Sequence, residues 1–218
     1  MEPVKLDPDQ IDDLKEIGNV GSGNAASRLS DLIRRRCVID IPQIAYMTTD
    51  DVRRVLDMED SYVVVMHIKI MGDIPATMFV VMKRAYAQTI VRYMTQDALD
   101  PSGKDFSFTA QFALKQLGEI LTKSFFDSIH EMLMAKAKYA MPEIIIDSWS
   151  AAKESLFARL SDGEGQYLLV HSTFFDPEKT FVGKFIYALS VDSQGVVLNR
   201  IKLLLGSKKP NISPGGMA

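Results

Sequence analysis

The chain matches itself at an offset of 100 residues: Leu14-Lys15-Glu16-Ile17-Gly18-Asn19 returns as Leu114-Lys115-Gln116-Leu117-Gly118-Glu119, and Pro42, opening PQIAYMTTDD, returns as Pro142, opening PEIIIDSWSA. An internal repeat means one supersecondary unit used twice, so any fold proposed for one half must also serve the other. Each half opens on a long helical pattern and passes through a short helical segment, DDVRRVLDM or AAKESLFARL. Two runs rich in β-branched and apolar residues follow, SYVVVMHIKIMG with IPATMFVVM and GQYLLVHSTFF with TFVGKFIYALS, turning at Gly72-Asp73 and Asp176-Pro177. After the hairpin, AYAQTIVRYM reads as a helix, whereas VVLNRIKLLL is compatible with helix or strand. Hairpins rather than βαβ crossovers predict an α+β fold with pseudo-two-fold internal duplication: one continuous, mainly antiparallel sheet with two long equivalent helices on one side. The expected organisation is a single domain over residues 1–207, built from repeats at about 8–100 and 108–207. The stretch 208–218, rich in Pro and Gly, is expected to be a disordered tail.

The first long helix contains Gly18, Gly21 and Gly23, and each glycine costs a helix interior up to about 1 kcal/mol relative to alanine. Gly21-Ser22-Gly23-Asn24-Ala25-Ala26 fits G-x-G-x-x-A, but it follows the helical DPDQIDDLKEI rather than a strand, so it is no dinucleotide loop. A phosphate-binding Gly-Lys-Ser/Thr ending is also missing. On a helical wheel Ile11, Leu14, Gly18, Gly21, Ala25, Leu29 and Leu32 form a buried stripe, where Gly18 and Gly21 allow close packing. Asp12, Glu16, Asn19 and Gly23 form an opposite row with three- and four-residue spacing. Packing explains the first two glycines; an exposed Gly23 is useful only where a partner comes down on the helix.

Composition closes off several alternatives. A net charge of −3 over 218 residues gives no field toward nucleic acid or an anionic membrane, and Arg34-Arg35-Arg36 reads as the end of a helix. Cys37, the single cysteine, excludes an internal disulfide and is expected in the core. His67, His130 and His171 lack ligand-like spacing, so no metal site is expected. With no long apolar run and no signal pattern, a cytoplasmic location is expected.

The spacing Asp12-x3-Glu16-x2-Asn19-x22-Pro42 reproduces the signature of the CheC/CheX/FliY phosphatases of chemotaxis, and EIGNVGSGNAASRLS resembles the CheC version of that helix. The resemblance implies hydrolysis of the aspartyl-phosphate of a CheY-like receiver that brings its own Mg²⁺, the chain having no cofactor. Within it, Asn19 would position the attacking water and Glu16 would pair with the receiver's lysine, both as catalytic residues. Asp12 would support docking or the helix N-terminus, and Gly23 would allow approach. In the second copy Phe112, Gln116 and Glu119 replace Asp12, Glu16 and Asn19, and Lys123 replaces Gly23, so that helix is expected to be silent. Phe112 is expected to lie buried under a neighbouring loop. An adaptor that binds the phosphorylated receiver or the CheD deamidase is the alternative, as is a structural role in a flagellar switch. CheD is an implied partner in either case, and a duplicated chain is expected to be monomeric.

Overall fold

The computed structural model describes residues 8–56, 58–59, 61–95, 106–160, 166–189 and 191–206. The expected tail, 208–218, lies outside them. Six helices are present among the described residues: α1 (Pro8–Ile33), α2 (Thr49–Val55), α3 (Arg84–Thr95), α4 (Phe108–Met132), α5 (Trp149–Leu160) and α6 (Val191–Gly206). Eight strands, β1 (Val38–Ile39), β2 (Gln43–Thr48), β3 (Tyr62–Gly72), β4 (Ala76–Lys83), β5 (Ala137–Tyr139), β6 (Glu143–Ser148), β7 (Gln166–Phe175) and β8 (Val182–Leu189), form one sheet. The segment left open between helix and strand is the helix α6.

Every strand pairing is antiparallel, and the central path is β7-β8-β4-β3. The edges cross between the repeats. β1 and β2 of the first half pair with β7 of the second, while β5 and β6 of the second half pair with β3 of the first. Gln43 stands opposite His171 at one edge and Glu143 opposite His67 at the other. These short edge strands, led by Pro42 and Pro142, are absent from the hairpin-only reading of the sequence. Their partners lie more than 70 residues away, and local periodicity carries no trace of such pairing.

Both faces of the sheet are covered. Val64, Met66, Ile68, Met78, Val80, Phe185 and Tyr187 join Leu14, Ile17, Ala25, Leu29 of α1 and Leu114, Leu117, Leu121, Phe125 of α4 in the larger core. The alternate strand residues Val63, Val65, Phe79, Val81, Leu169 and Ile186 pack with Val52 of α2 and Trp149, Leu156 and Phe157 of α5. The short helices thus cover the face opposite the long ones, which is why the strands read as continuous apolar runs instead of alternating.

α1 and α4 pack against each other on the first face. A Cβ on Gly21 would stand 2.6 Å from the Phe125 carbonyl oxygen, so glycine sets the approach of the two helix backbones. The predicted stripe is present, with Ile11 and Leu32 half-buried at its margins and Ile17 and Ile33 fully within it. α1 stops at Ile33. Arg34 takes the left-handed φ of 53°, and Ser30 Oγ accepts from the Cys37 backbone N–H at 2.8 Å, turning the chain into β1. The three arginines therefore lie just past the helix, and Arg35 stacks its guanidinium 4.4 Å from the Tyr93 ring centroid. Cys37 is buried, and burial pushes its thiol pKa up to about 12.

Candidate functional site

Pro42 is the structural foundation of the site. A Cβ on Gly18 would meet Pro42 Cγ at 3.4 Å, and one on Gly118 would meet Pro142 Cγ at 3.5 Å. The paired spacing in the sequence therefore encodes one contact made twice, in which the loop before β2 or β6 wedges under the long helix. Glycine is what lets the proline ring lie against the helix.

With the buried stripe fixed on that contact, Asp12, Glu16, Asn19 and Gly23 all face solvent on α1. Asp12 forms an exposed ion pair with Lys15 at 3.0 Å, which draws the lysine toward the first turn. Among the described residues, Glu16 and Asn19 make no side-chain hydrogen bond, and a Cβ on Gly23 would meet nothing within 4 Å. The row is a carboxylate, a carboxamide and a bare backbone step on a helix held rigid beneath. Such a row can donate to, accept from and fit against another surface. No group of three or more His, Cys, Asp or Glu side chains suited to a metal occurs among the described residues.

The second helix offers a different face. Gln116 and Glu119 are exposed, and Glu119 is tied to Lys123 by an i,i+4 ion pair, so the acid in the Asn19 position and the cation in the Gly23 position neutralise each other. Phe112 corrects the expectation of burial. It is 54% exposed, and Phe108 one turn earlier is 87% exposed. No loop covers them, because the second repeat begins at the same place in the helix as the first and its own buried positions are Ala110, Ala113 and Leu114. Two apolar residues near the first row escape a reading based on polar spacing: Val20, 45% exposed, and Ile41, 72% exposed. The signal available for Ile41 is its place just before Pro42, matched by Met141 before Pro142.

Comparisons with known proteins agree with this architecture. No protein-family profile matches the chain. It is 24% identical over 171 residues to the CheY-P phosphatase CheC of Bacillus subtilis (strain 168), covering 77% of this chain and 81% of that protein. The FliY structure from Thermotoga maritima superposes with a TM-score of 0.69 at 19% identity, covering 93% of this chain and 99% of FliY. CheX in its complex with CheY, BeF3 and magnesium from Borrelia burgdorferi gives a TM-score of 0.54 at 14% identity, covering 79% of this chain and 96% of that one. The structural likenesses establish the fold: a duplicated α+β domain with two long helices on one face of a shared sheet. The chain belongs to the CheC/CheX/FliY family and is a CheC-like, chemotaxis-phosphatase-like protein.

Proposed function

We propose that the chain hydrolyses the aspartyl-phosphate of a CheY-like receiver, using α1 as its one active helix. The observation that carries this reading is the row Glu16, Asn19 and Gly23, exposed and unpaired among the described residues, on a helix fixed by the Gly18–Pro42 contact. The named relatives support it: one is a CheY-P phosphatase, and another is held with CheY in a BeF3 and Mg²⁺ complex. In this proposal the Mg²⁺ belongs to the phosphorylated receiver, which is the substrate, and the chain contributes no cofactor.

The Asn19 carboxamide enters beside the phosphoryl group, accepting a proton-side contact from water with its oxygen and donating through its N–H groups. Water oxygen bonds to phosphorus as the bond from phosphorus to the receiver carboxylate breaks, its electron pair remaining on the carboxylate. An amide is no base at neutral pH, so the water's proton passes to phosphate or solvent and the gain is positional. Glu16 pairs with a receiver lysine and sets the register. Asp12 supports docking through the first turn, and Gly23 lets the receiver backbone close in. α4, with Phe112, Gln116 and the Glu119–Lys123 pair in these positions, is silent. A cytoplasmic monomer, with a CheD-type deamidase as a further partner, completes the reading.

The test is the decay of an aspartyl-phosphorylated CheY-like receiver with catalytic amounts of the chain. Wild type should turn over many receivers, and Asn19→Ala should lose about 100-fold in rate while still binding. Binding without faster decay in wild type would leave an adaptor and withdraw the chemistry.

A further inference from the structure

The contact between Gly18 and Pro42 fixes more than the helix. Asn19 and Ile41 each stand one residue from that contact, and both are exposed. On the helical wheel Gly21, which faces α4, lies about 60° to one side of Gly18, and Asn19 lies about 100° to the other. Asn19 therefore points away from α4, over the flank where the loop before β2 brings Ile41. Continuing round the helix, Gly23 and Glu16 follow within about 60°, and Val20 lies about 100° beyond Asn19. The polar row is thus bracketed by two exposed apolar side chains, Ile41 at 72% and Val20 at 45% exposure.

We infer that Ile41 and Val20 form an apolar rim of the receiver-docking face, closing on the receiver at either side of the Glu16–Asn19 row. This rests on the phosphatase reading above. Single exposed aliphatic residues are ordinary on protein surfaces, but these two flank one functional row, and one of them is held there by the contact that orients it. A receiver lying on the row covers both. Their burial strengthens docking, and a closed rim keeps the polar contacts inside it out of bulk water, as the weakly contributing ring around an interface hot spot does. Neither residue touches the reacting atoms, so the rim acts on affinity.

The second repeat supplies the internal control, since Met141 is 76% exposed beside the same kind of Gly118–Pro142 contact, next to the silent face. Binding of a receiver loaded with Mg²⁺ and beryllofluoride is measured alongside KM and kcat for the phosphorylated form. Ile41→Ser should weaken binding and raise KM by about tenfold with kcat held within about twofold, and Ile41→Leu should restore both. Met141→Ser should change neither. Equal binding by wild type and Ile41→Ser overturns the rim, as does an equal loss in Met141→Ser, which would mark a general surface effect. Wild type that binds the loaded receiver without hydrolysing the phosphorylated one removes the catalytic reading alone, leaving the rim to be judged by binding. Wild type that does not bind at all overturns both.

Discussion

Two residues apart on α1, Gly21 and Gly23 have opposite surroundings, and alanine should separate them. At Gly21 a methyl group would stand 2.6 Å from the Phe125 carbonyl oxygen, on the backbone of a packed helix that cannot simply rotate away. Gly21→Ala should cost about 1–3 kcal/mol in urea unfolding, the usual penalty of overpacking. At Gly23 there is open space, so Gly23→Ala should gain about 0.5–1 kcal/mol from helix propensity alone. Gly23→Lys should also raise stability while weakening receiver binding. Equal binding by Gly23→Lys and wild type would mean that the receiver does not approach there. The roles of Gly18 and Gly21 were legible in the sequence because spacing alone put them on the apolar stripe. The exposure of Phe112 was not, because residue type argued for burial and only the position of the helix start decides what covers that turn.

At the level of the element, α4 keeps the foundation of α1 and has lost its row. The Gly118–Pro142 contact at 3.5 Å repeats the Gly18–Pro42 contact at 3.4 Å, so the two helices sit on equivalent wedges. Replacing Gln116→Glu, Glu119→Asn and Lys123→Gly together should therefore install a second row on a ready scaffold. In an Asn19→Ala background this triple change should return at least about tenfold of the lost turnover, and no return would show that Phe112 or its surroundings block the face. The long helices and the hairpins were readable from their periods. The edge strands were not: β1 and β5 are two and three residues long, and each finds its partner in the other repeat. The short helices α2 and α5 could be located in the sequence, but nothing local said that they cover the second face. Arg200 of α6 shows the same limit. It donates to the carbonyl oxygens of Leu133 and Met134 at the end of α4 and to Asp73 of the β3–β4 turn, a clamp between three distant segments.

Across the whole molecule the two halves are interleaved, since each edge of the sheet is completed by the other repeat, and they should unfold in one transition. Such a fold shares its buried groups, and the three histidines are among them. Burial is the first cause lowering the pKa of each from 6.5. His67 lies between Phe79, on which it stacks, and Arg159, which opposes its protonation while Glu143 favours it. Asp127 and Asp73 favour the charged form of His130 and Arg200 disfavours it; Lys184 adds to the effect of burial at His171. Above about pH 7 these rings are neutral both folded and unfolded and contribute no pH dependence. As pH falls through about 6.5, the unfolded chain takes up protons that the folded chain resists, so stability must fall. The loss continues until the lowered folded-state values are reached. The carboxyls of Asp51, Asp73 and Glu143, held low by hydrogen bonds and neighbouring arginines, titrate below this window and cannot mimic it. Urea unfolding at about pH 7.5 and 5.5 should show lower stability at the acid end, and His171→Gln should reduce the difference without abolishing it. Equal stability at the two pH values would mean that the unfolded and folded chains bind protons alike, and that the histidines are more open to water than their packing in the folded chain requires.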